Sequence, residues 1–369
     1  MRPGMTASGA LPAAVSLRPH QDSMPARAKV NTMKKVRVGI NGFGRIGRQV
    51  FRALRQSYAD RVEVVAINDL FDATTNFQLL EYDSVYGRAF LDAQVDGQEV
   101  KVGDWNIHCF AERDPHQLAW GQYDVDVVVE STGIFRKASQ ASVHMDNGAK
   151  KVIITAPAKE EDITIVMGVN HDQYDPEKHH IVSNASCTTN CLAPVALVLQ
   201  RNFGIKLGNM TTIHSYTMSQ RILDGSHKDL RRARAACVSM IPTSTGAAKA
   251  LALVVPALKG KLDGMAVRVP TPDISLVDLT CELEKPATAE EINAALKAAH
   301  DGALHDNMGY CDEPLVSIDF KGSTHGGVVD ALSTQVMDGT MAKLIIWYDN
   351  ESGFTNQLAR LLRKVAASL

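Results

Sequence analysis

The stretch VRVGINGFGRIGRQVFRAL, Val36 to Leu54, decides the fold. Val36 to Ile40 form a short apolar strand candidate that runs directly into Gly42, Gly44 and Gly47 in G-x-G-x-x-G spacing. Apolar positions then recur with helical period at Ile46, Val50, Phe51 and Leu54. The first glycine permits the tight turn, the second lets backbone approach a pyrophosphate, and the third lets helix and strand pack closely. The helix N-terminus offers free N–H groups and a positive dipole end to the anion. By itself the glycine triplet is weak evidence, and its flanks give it weight. A second apolar run, VEVVAI from Val62 to Ile67, ends in Asn68 and Asp69. Asp69 lies 22 residues beyond Gly47, where a carboxylate meets the adenine ribose 2′-hydroxyl and disfavours a 2′-phosphate. The pattern predicts a dinucleotide-binding fold that prefers NAD to NADP.

The alternation of strand and helix continues outward. VDVVVE (Val125 to Glu130) ends in Ser131-Thr132-Gly133, and KVIIT (Lys151 to Thr155) ends in Ala156-Pro157. Ligands of open α/β sheets collect at such carboxyl ends. Ser131, Thr132 and Thr155 therefore line a cofactor cleft or serve as turn residues.

At 369 residues, with 45% hydrophobic residues and 22% charged, the chain has room for two ordinary domains. A formal charge of −2 gives no global electrostatic case for nucleic acid or a membrane surface. No apolar run reaches the ~18–20 residues of a membrane-spanning helix. Six scattered cysteines fit free thiols in a reducing compartment better than a disulfide framework. The first 33 residues are rich in Ala, Pro and Ser, with Arg2, Arg18, Arg27 and Lys29 against Asp22. They read as a disordered or transit-like tail, or as an upstream start ahead of Met24 or Met33.

SNASCTTNC, Ser183 to Cys191, places Cys187 between a strand-like run and a helix-like run. In the first helical turn, the dipole end and free N–H groups lower a thiol pKa and can hold an oxyanion. Cys187 reads equally as a nucleophile or as a buried structural thiol. Cys187 and Cys191 share one helix face, in poor geometry for a disulfide. A structural zinc site needs four ligands where two are clustered, so no metal is expected. His214, in the strand candidate TTIHSYT, is the candidate base. The basic run HKDLRRARAA (His227 to Ala236), the helix start at Thr245-Gly246 and Arg268 within an apolar strand are candidate anion sites. Each also has a structural reading, as solvated face, turn or paired cation.

NGFGRIGR, ASCTTNCLAP, HSYT, HKDLRRARAA, STGAAKA, RVPTP and WYDNE occur in this order. Together they resemble the phosphorylating glyceraldehyde-3-phosphate dehydrogenases over about residues 34–369. Thr217 after the HSY favours that family over the erythrose-4-phosphate dehydrogenases. The resemblance implies a Cys187 hemithioacetal and thioester with His214 as base, and cleavage by inorganic phosphate to an acyl phosphate. It implies anion contacts from Ser186, Thr188, Thr217, Arg231, Thr245, Gly246 and Arg268. It implies cofactor contacts from Gly42, Gly44, Arg45, Ile46, Gly47, Asp69, Arg113, Ser131 and Asn350, with Asn350 on the nicotinamide carboxamide. It also implies a Rossmann cofactor domain over 34–186, completed by a helix over 350–369. An α+β catalytic domain with a largely antiparallel sheet spans 187–349. A cytoplasmic homotetramer is expected, with the loop after Tyr216 reaching a neighbouring subunit's cofactor.

Departures qualify the cofactor expectation. Gly225-Ser226 precede the His-Lys-Asp where NAD-preferring relatives have Leu-Pro, which points to some NADP tolerance. Leu70 after Asp69 points back to NAD. Met218 and Ser219 replace a usual Asn-Asp, and Ser352 and Phe354 also differ from the common pattern. Competing expectations are erythrose 4-phosphate as substrate, an NADP-linked reductive role, or a redox-sensing or RNA-binding protein on the same fold.

Overall fold

The computed structural model describes residues 34–369. The tail expected over residues 1–33 lies outside the described residues.

Two sheets organise the chain. The first draws β1 (Val36–Asn41), β2 (Val62–Asn68), β5 (Gln94–Asp96), β6 (Glu99–Val102), β7 (Trp105–Phe110), β8 (Val127–Glu130), β9 (Lys151–Ile154), β10 (Ile163–Thr164) and β11 (Ile181–Ser183). Their order is β10-β11-β9-β8-β1-β2-β7-β6-β5. The strands from β10 to β7 are all parallel, and only the β7–β6 and β6–β5 pairings are antiparallel. Parallel strands covered on both faces need apolar residues throughout, which is why β1, β2, β8 and β9 read as near-continuous apolar runs. A short hairpin, β3 (Tyr82–Asp83) with β4 (Gly87–Arg88), stands apart from this sheet.

Helix α1 (Arg45–Ser57) follows β1 directly. It buries Val50, Phe51 and Leu54. Helix α2 (Ala73–Glu81) is capped by Asp72, which accepts the Thr75 N–H. The short helices α3 (Ala138–Ala141) and α4 (Val143–Asp146) lie between β8 and β9.

The second sheet comprises β12 (Ile205–Ser215), β13 (Ile241–Ser244), β14 (Leu262–Val269), β15 (Ser275–Leu283), β16 (Met308–Cys311), β17 (Gly327–Met337) and β18 (Met341–Tyr348). Its order is β13-β14-β12-β15-β18-β17-β16. It is mixed: β12 and β14 are parallel, as are β16 and β17, and the other neighbours are antiparallel. Helices α5 (Cys187–Asn202), α6 (Ala247–Val254) and α7 (Ala289–Asp301) share one apolar core with it. The last helix, α8 (Ser352–Ala366), contributes Leu358, Leu361, Leu362 and Val365 to the core under the first sheet. No helix among the described residues is long and apolar enough to cross a membrane.

Candidate active site

The site begins where β11 hands over to α5. Ala185 takes a left-handed conformation, φ 56°, which costs a non-glycine residue about 1–2 kcal/mol. Local bonds offset that cost: the Ala185 N–H donates to Ser183 Oγ at 3.1 Å, and Asn190 Nδ2 donates back to the Asn184 and Ser186 carbonyls. The tight reversal turns the chain into α5 with Cys187 as its first residue. Ser186 caps the helix by accepting the Thr189 N–H at 3.0 Å.

His214 sits near the end of β12 and is buried. Its Nε2 lies 3.5 Å from Cys187 Sγ. Its Nδ1 lies 2.7 Å from the Ser215 carbonyl, and the tautomer with the proton on Nδ1 leaves the Nε2 lone pair facing the thiol. Arg268, on the parallel neighbour β14, places Nη1 2.9 Å from His214 Nδ1 and donates to the Ser215 carbonyl at 2.9 Å. Arg268 Nε is buried without a hydrogen-bond partner among the described residues. Burial, then the Arg268 charge, press His214 down to about 3, so the imidazole is neutral.

The thiol corrects the expectation drawn from sequence. A helix N-terminus lowers a thiol pKa, and the Arg268 charge and Thr188 do pull Cys187 down. Burial outweighs them, and the net direction is up. The pair at rest is therefore thiol and imidazole rather than thiolate and imidazolium.

A cavity of about 130 Å³ opens over the pair, lined among others by Ser186, Thr188, Thr245, Gly246 and Arg268. The Thr245-Gly246 segment opens α6 with Gly246 as cap residue. Thr217 lies at the margin, its hydroxyl 3.5 Å from Arg268 Nη1. Arg231 is exposed and does not line the cavity. Its neighbour Arg232 is half-buried, donates to Thr243 at 3.0 Å, and acts electrostatically on both His214 and Arg268. The basic run holds several arginines, and only the path of the loop separates them.

Thr212, from the TTIHSYT run, and Tyr348, from WYDNE, join the site from β12 and β18. Thr212 donates to the Leu276 carbonyl at 3.1 Å, so Tyr348 Oη donates to Thr212 at 2.8 Å and accepts from Thr188 at 3.0 Å. The Tyr348 ring stands edge-on to His214, with centroids 5.9 Å apart. Tyr348, the second residue of WYDNE, also holds the inward position of the alternating strand β18, after Ala342, Leu344 and Ile346.

The glycine loop fits a dinucleotide. A Cβ on Gly42, where φ is +91°, would lie 2.6 Å from the Thr132 nitrogen, and one on Gly47 would lie 2.2 Å from the Gly42 carbonyl. A Cβ on Gly44 would meet nothing within 4 Å, so the protein leaves that approach open. Asp69 accepts the Phe43 N–H at 2.9 Å beside this opening. Ser131 braces the loop by donating to the Gly42 carbonyl at 2.6 Å. Ile46 packs against the first sheet's core. The Arg45 side chain is spent on Asp83 and Glu351, and Arg113 is exposed. Asn350 is buried, and its Oδ1 accepts from Ser275 Oγ at 2.7 Å, which leaves the amide N–H groups to donate. All six cysteines are unpaired, and the described residues hold no cluster of three metal-binding side chains.

Comparison with known proteins agrees with this arrangement. The NAD-binding domain of glyceraldehyde 3-phosphate dehydrogenase matches residues 36–138, and the C-terminal domain of that enzyme matches residues 186–350. The glyceraldehyde-3-phosphate dehydrogenase of Geobacillus stearothermophilus is 61% identical over 332 residues, covering 90% of this chain and 98% of its own. Glyceraldehyde-3-phosphate dehydrogenase 1 of Bacillus subtilis is 59% identical over 331 residues, with the same coverage. The Mycobacterium avium enzyme is 54% identical over 340 residues, covering 90% of this chain and 99% of its own. The chain belongs to the glyceraldehyde-3-phosphate dehydrogenase family.

Proposed function

We propose that the chain oxidises D-glyceraldehyde 3-phosphate with NAD and inorganic phosphate to 1,3-bisphosphoglycerate. The observation that carries this reading is the Cys187–His214 contact at the floor of a cavity walled by Arg268 and the α6 start.

His214 Nε2 accepts the Cys187 proton as sulfur adds to the aldehyde carbon and passes it to the former carbonyl oxygen, giving a hemithioacetal and a neutral imidazole. When bound, the nicotinamide supplies the hydride acceptor. His214 then holds the hemithioacetal hydroxyl proton, and Cys187 keeps the acyl group as a thioester. The thioester retains the free energy of aldehyde oxidation. Attack by inorganic phosphate re-forms the carbonyl as sulfur leaves and takes a proton back. Arg268, with its unpartnered Nε, and the Thr245-Gly246 helix start hold the two phosphates together with Thr188, Thr217 and Arg232. Gly42, Gly44, Gly47, Asp69, Ser131 and Asn350 would hold the dinucleotide, with the Asn350 amide N–H groups free to donate to its carboxamide.

In this reading residues 34–186 with α8 form the cofactor domain and residues 187–349 the catalytic domain. Asp69 sets the NAD preference, while the exposed Gly225 and Ser226 leave tolerance for NADP. Six unpaired cysteines fit a cytoplasmic protein. The loop from Met218 to Met240 exposes Ile222, Leu223, Leu230 and Val238 as well, an apolar surface suited to a homotetramer.

The test is NADH production from glyceraldehyde 3-phosphate with and without phosphate. Sustained turnover should need phosphate and vanish in Cys187→Ser. Retained turnover in that variant would remove Cys187 as nucleophile. A higher kcat/KM with erythrose 4-phosphate would reassign the substrate.

A further inference from the structure

Away from the Cys187–His214 cavity, a buried group of titratable side chains has no part in the chemistry above. Tyr86 lies in the turn between β3 and β4, Asp273 in the loop between β14 and β15, and Asp349 directly after β18. Both carboxyls are buried. The Tyr86 hydroxyl lies 2.7 Å from Asp349 Oδ1 and 3.0 Å from Asp273 Oδ2, and it accepts the Ser352 N–H at 3.2 Å.

The protons can be counted. Asp349 accepts the N–H groups of Glu351 at 3.0 Å, Ser352 at 2.7 Å and Gly322 at 2.8 Å. A phenol has one proton, and the shorter bond gives it to Asp349. Asp273 Oδ2 then faces the lone pairs of the same phenol oxygen, and its Oδ1 is buried without a hydrogen-bond partner. With the phenol proton given to Asp349, a charged Asp273 would sit desolvated beside a second carboxylate with the Ile274 N–H as its remaining donor. A proton on Asp273 Oδ2, donated to Tyr86, completes the chain.

That chain ends at Asn350, the residue after Asp349. Ser275, two residues after Asp273, holds the Asn350 amide through its 2.7 Å bond. Between them Ile274 is left-handed, φ 64°, a rare conformation for a β-branched side chain that persists only where its surroundings hold it. We propose that Asp273, carrying a proton shared with Tyr86, is a positioning residue that fixes the Asn350 amide for the nicotinamide end of the cofactor. The proposal rests on the dehydrogenase reading for the role of Asn350.

The surroundings agree. Burial and the Asp349 charge push the Asp273 carboxyl up, to about 7. Glu351, on the same turn as Asp349, adds negative charge. Arg45 is bound to Glu351 and Asp83, and the Lys321 ammonium to the Val85 carbonyl. A carboxyl raised on folding adds stability that is full below its unfolded value of about 4 and is lost as pH rises through its folded value.

The experiment compares wild type with Asp273→Asn, whose amide N–H replaces the proton, between about pH 5 and pH 8.5. Cofactor-free protein is read by thermal unfolding and by the infrared carbonyl band of a protonated carboxyl. NAD affinity is read by titration. Wild type should lose Tm relative to the variant as pH rises, lose a carboxyl band that the variant lacks, and bind NAD several-fold more weakly at the alkaline end. The variant's affinity should stay flat. Equal pH slopes of Tm, or no such band, would overturn the protonated Asp273. A Tm difference with parallel NAD affinities would leave a purely structural acid and overturn the positioning role. Should the variant fail to fold, Tyr86→Phe should raise KM for NAD several-fold with a smaller change in kcat, and an unchanged KM would overturn the proposal. Loss of wild-type turnover would count against the dehydrogenase reading alone, since Tm and the infrared band do not depend on it.

Discussion

Cys187 meets its base as a neutral thiol. The first turn of α5 was legible in the sequence, and so was the expectation of a lowered thiol pKa. The burial that reverses the net direction was not legible. It comes from β12, β14 and Tyr348 of β18, which only the folded sheet brings over α5. Burial, then a guanidinium 2.9 Å from Nδ1, disfavours the imidazolium that proton transfer creates. An imidazole held down to about 3 stays neutral across the working range, so His214 itself should show no titration near pH 6. The rate of Cys187 alkylation by iodoacetamide should therefore rise with pH through about 8.5 and beyond, as ordinary thiol ionisation or later. A plateau already reached near neutrality would show a thiolate at rest and overturn the neutral pair.

At the scale of one element, α5 joins stability to chemistry. Its cap, Ser186, was expected among the anion contacts, and the structure uses its hydroxyl to hold the Thr189 N–H. Ser186→Ala should cost about 0.5–2 kcal/mol, seen as a lowered Tm with or without phosphate. A Tm unchanged from wild type would assign that hydroxyl to ligand alone. The sequence is ambiguous along this helix because Pro194 lies inside it, and proline usually ends a helix. Tertiary burial overrides that preference: nearly every residue from Thr188 to Leu199 is buried.

For the whole molecule, legibility followed sequence distance. The parallel core of the first sheet could be read from successive strand–turn–helix units, since each βα step is local. The second sheet could not be read that way. It sets β12 between β14 and β15, and β18 beside β15, pairings that no local period encodes. Its mixed character entered only through family resemblance, and the return of α8 to the first core entered the same way. Quaternary structure is the remaining level. Exposed Met218, Ile222, Leu223, Leu230, Val238 and Met240 form more apolar surface on one loop than a monomer usually shows. Sedimentation should give four copies of the 40.1 kDa chain, and Leu230→Asp should shift it to smaller species. A wild-type monomer at micromolar concentration would sink the tetramer.

The three loop glycines divide their labour between self and guest. Gly42 and Gly47 are small because the chain's own backbone crowds them, whereas Gly44 has a negative φ of −72° and empty space around its missing side chain. Gly44→Ala should therefore be silent to the fold and audible only to the ligand. Its apo Tm should match wild type while NAD affinity falls at least tenfold; equal affinity would mean the pyrophosphate passes elsewhere. Such a variant separates inheritance of a shape from inheritance of a use: a descendant could lose its cofactor by one methyl group and keep every other property of the scaffold.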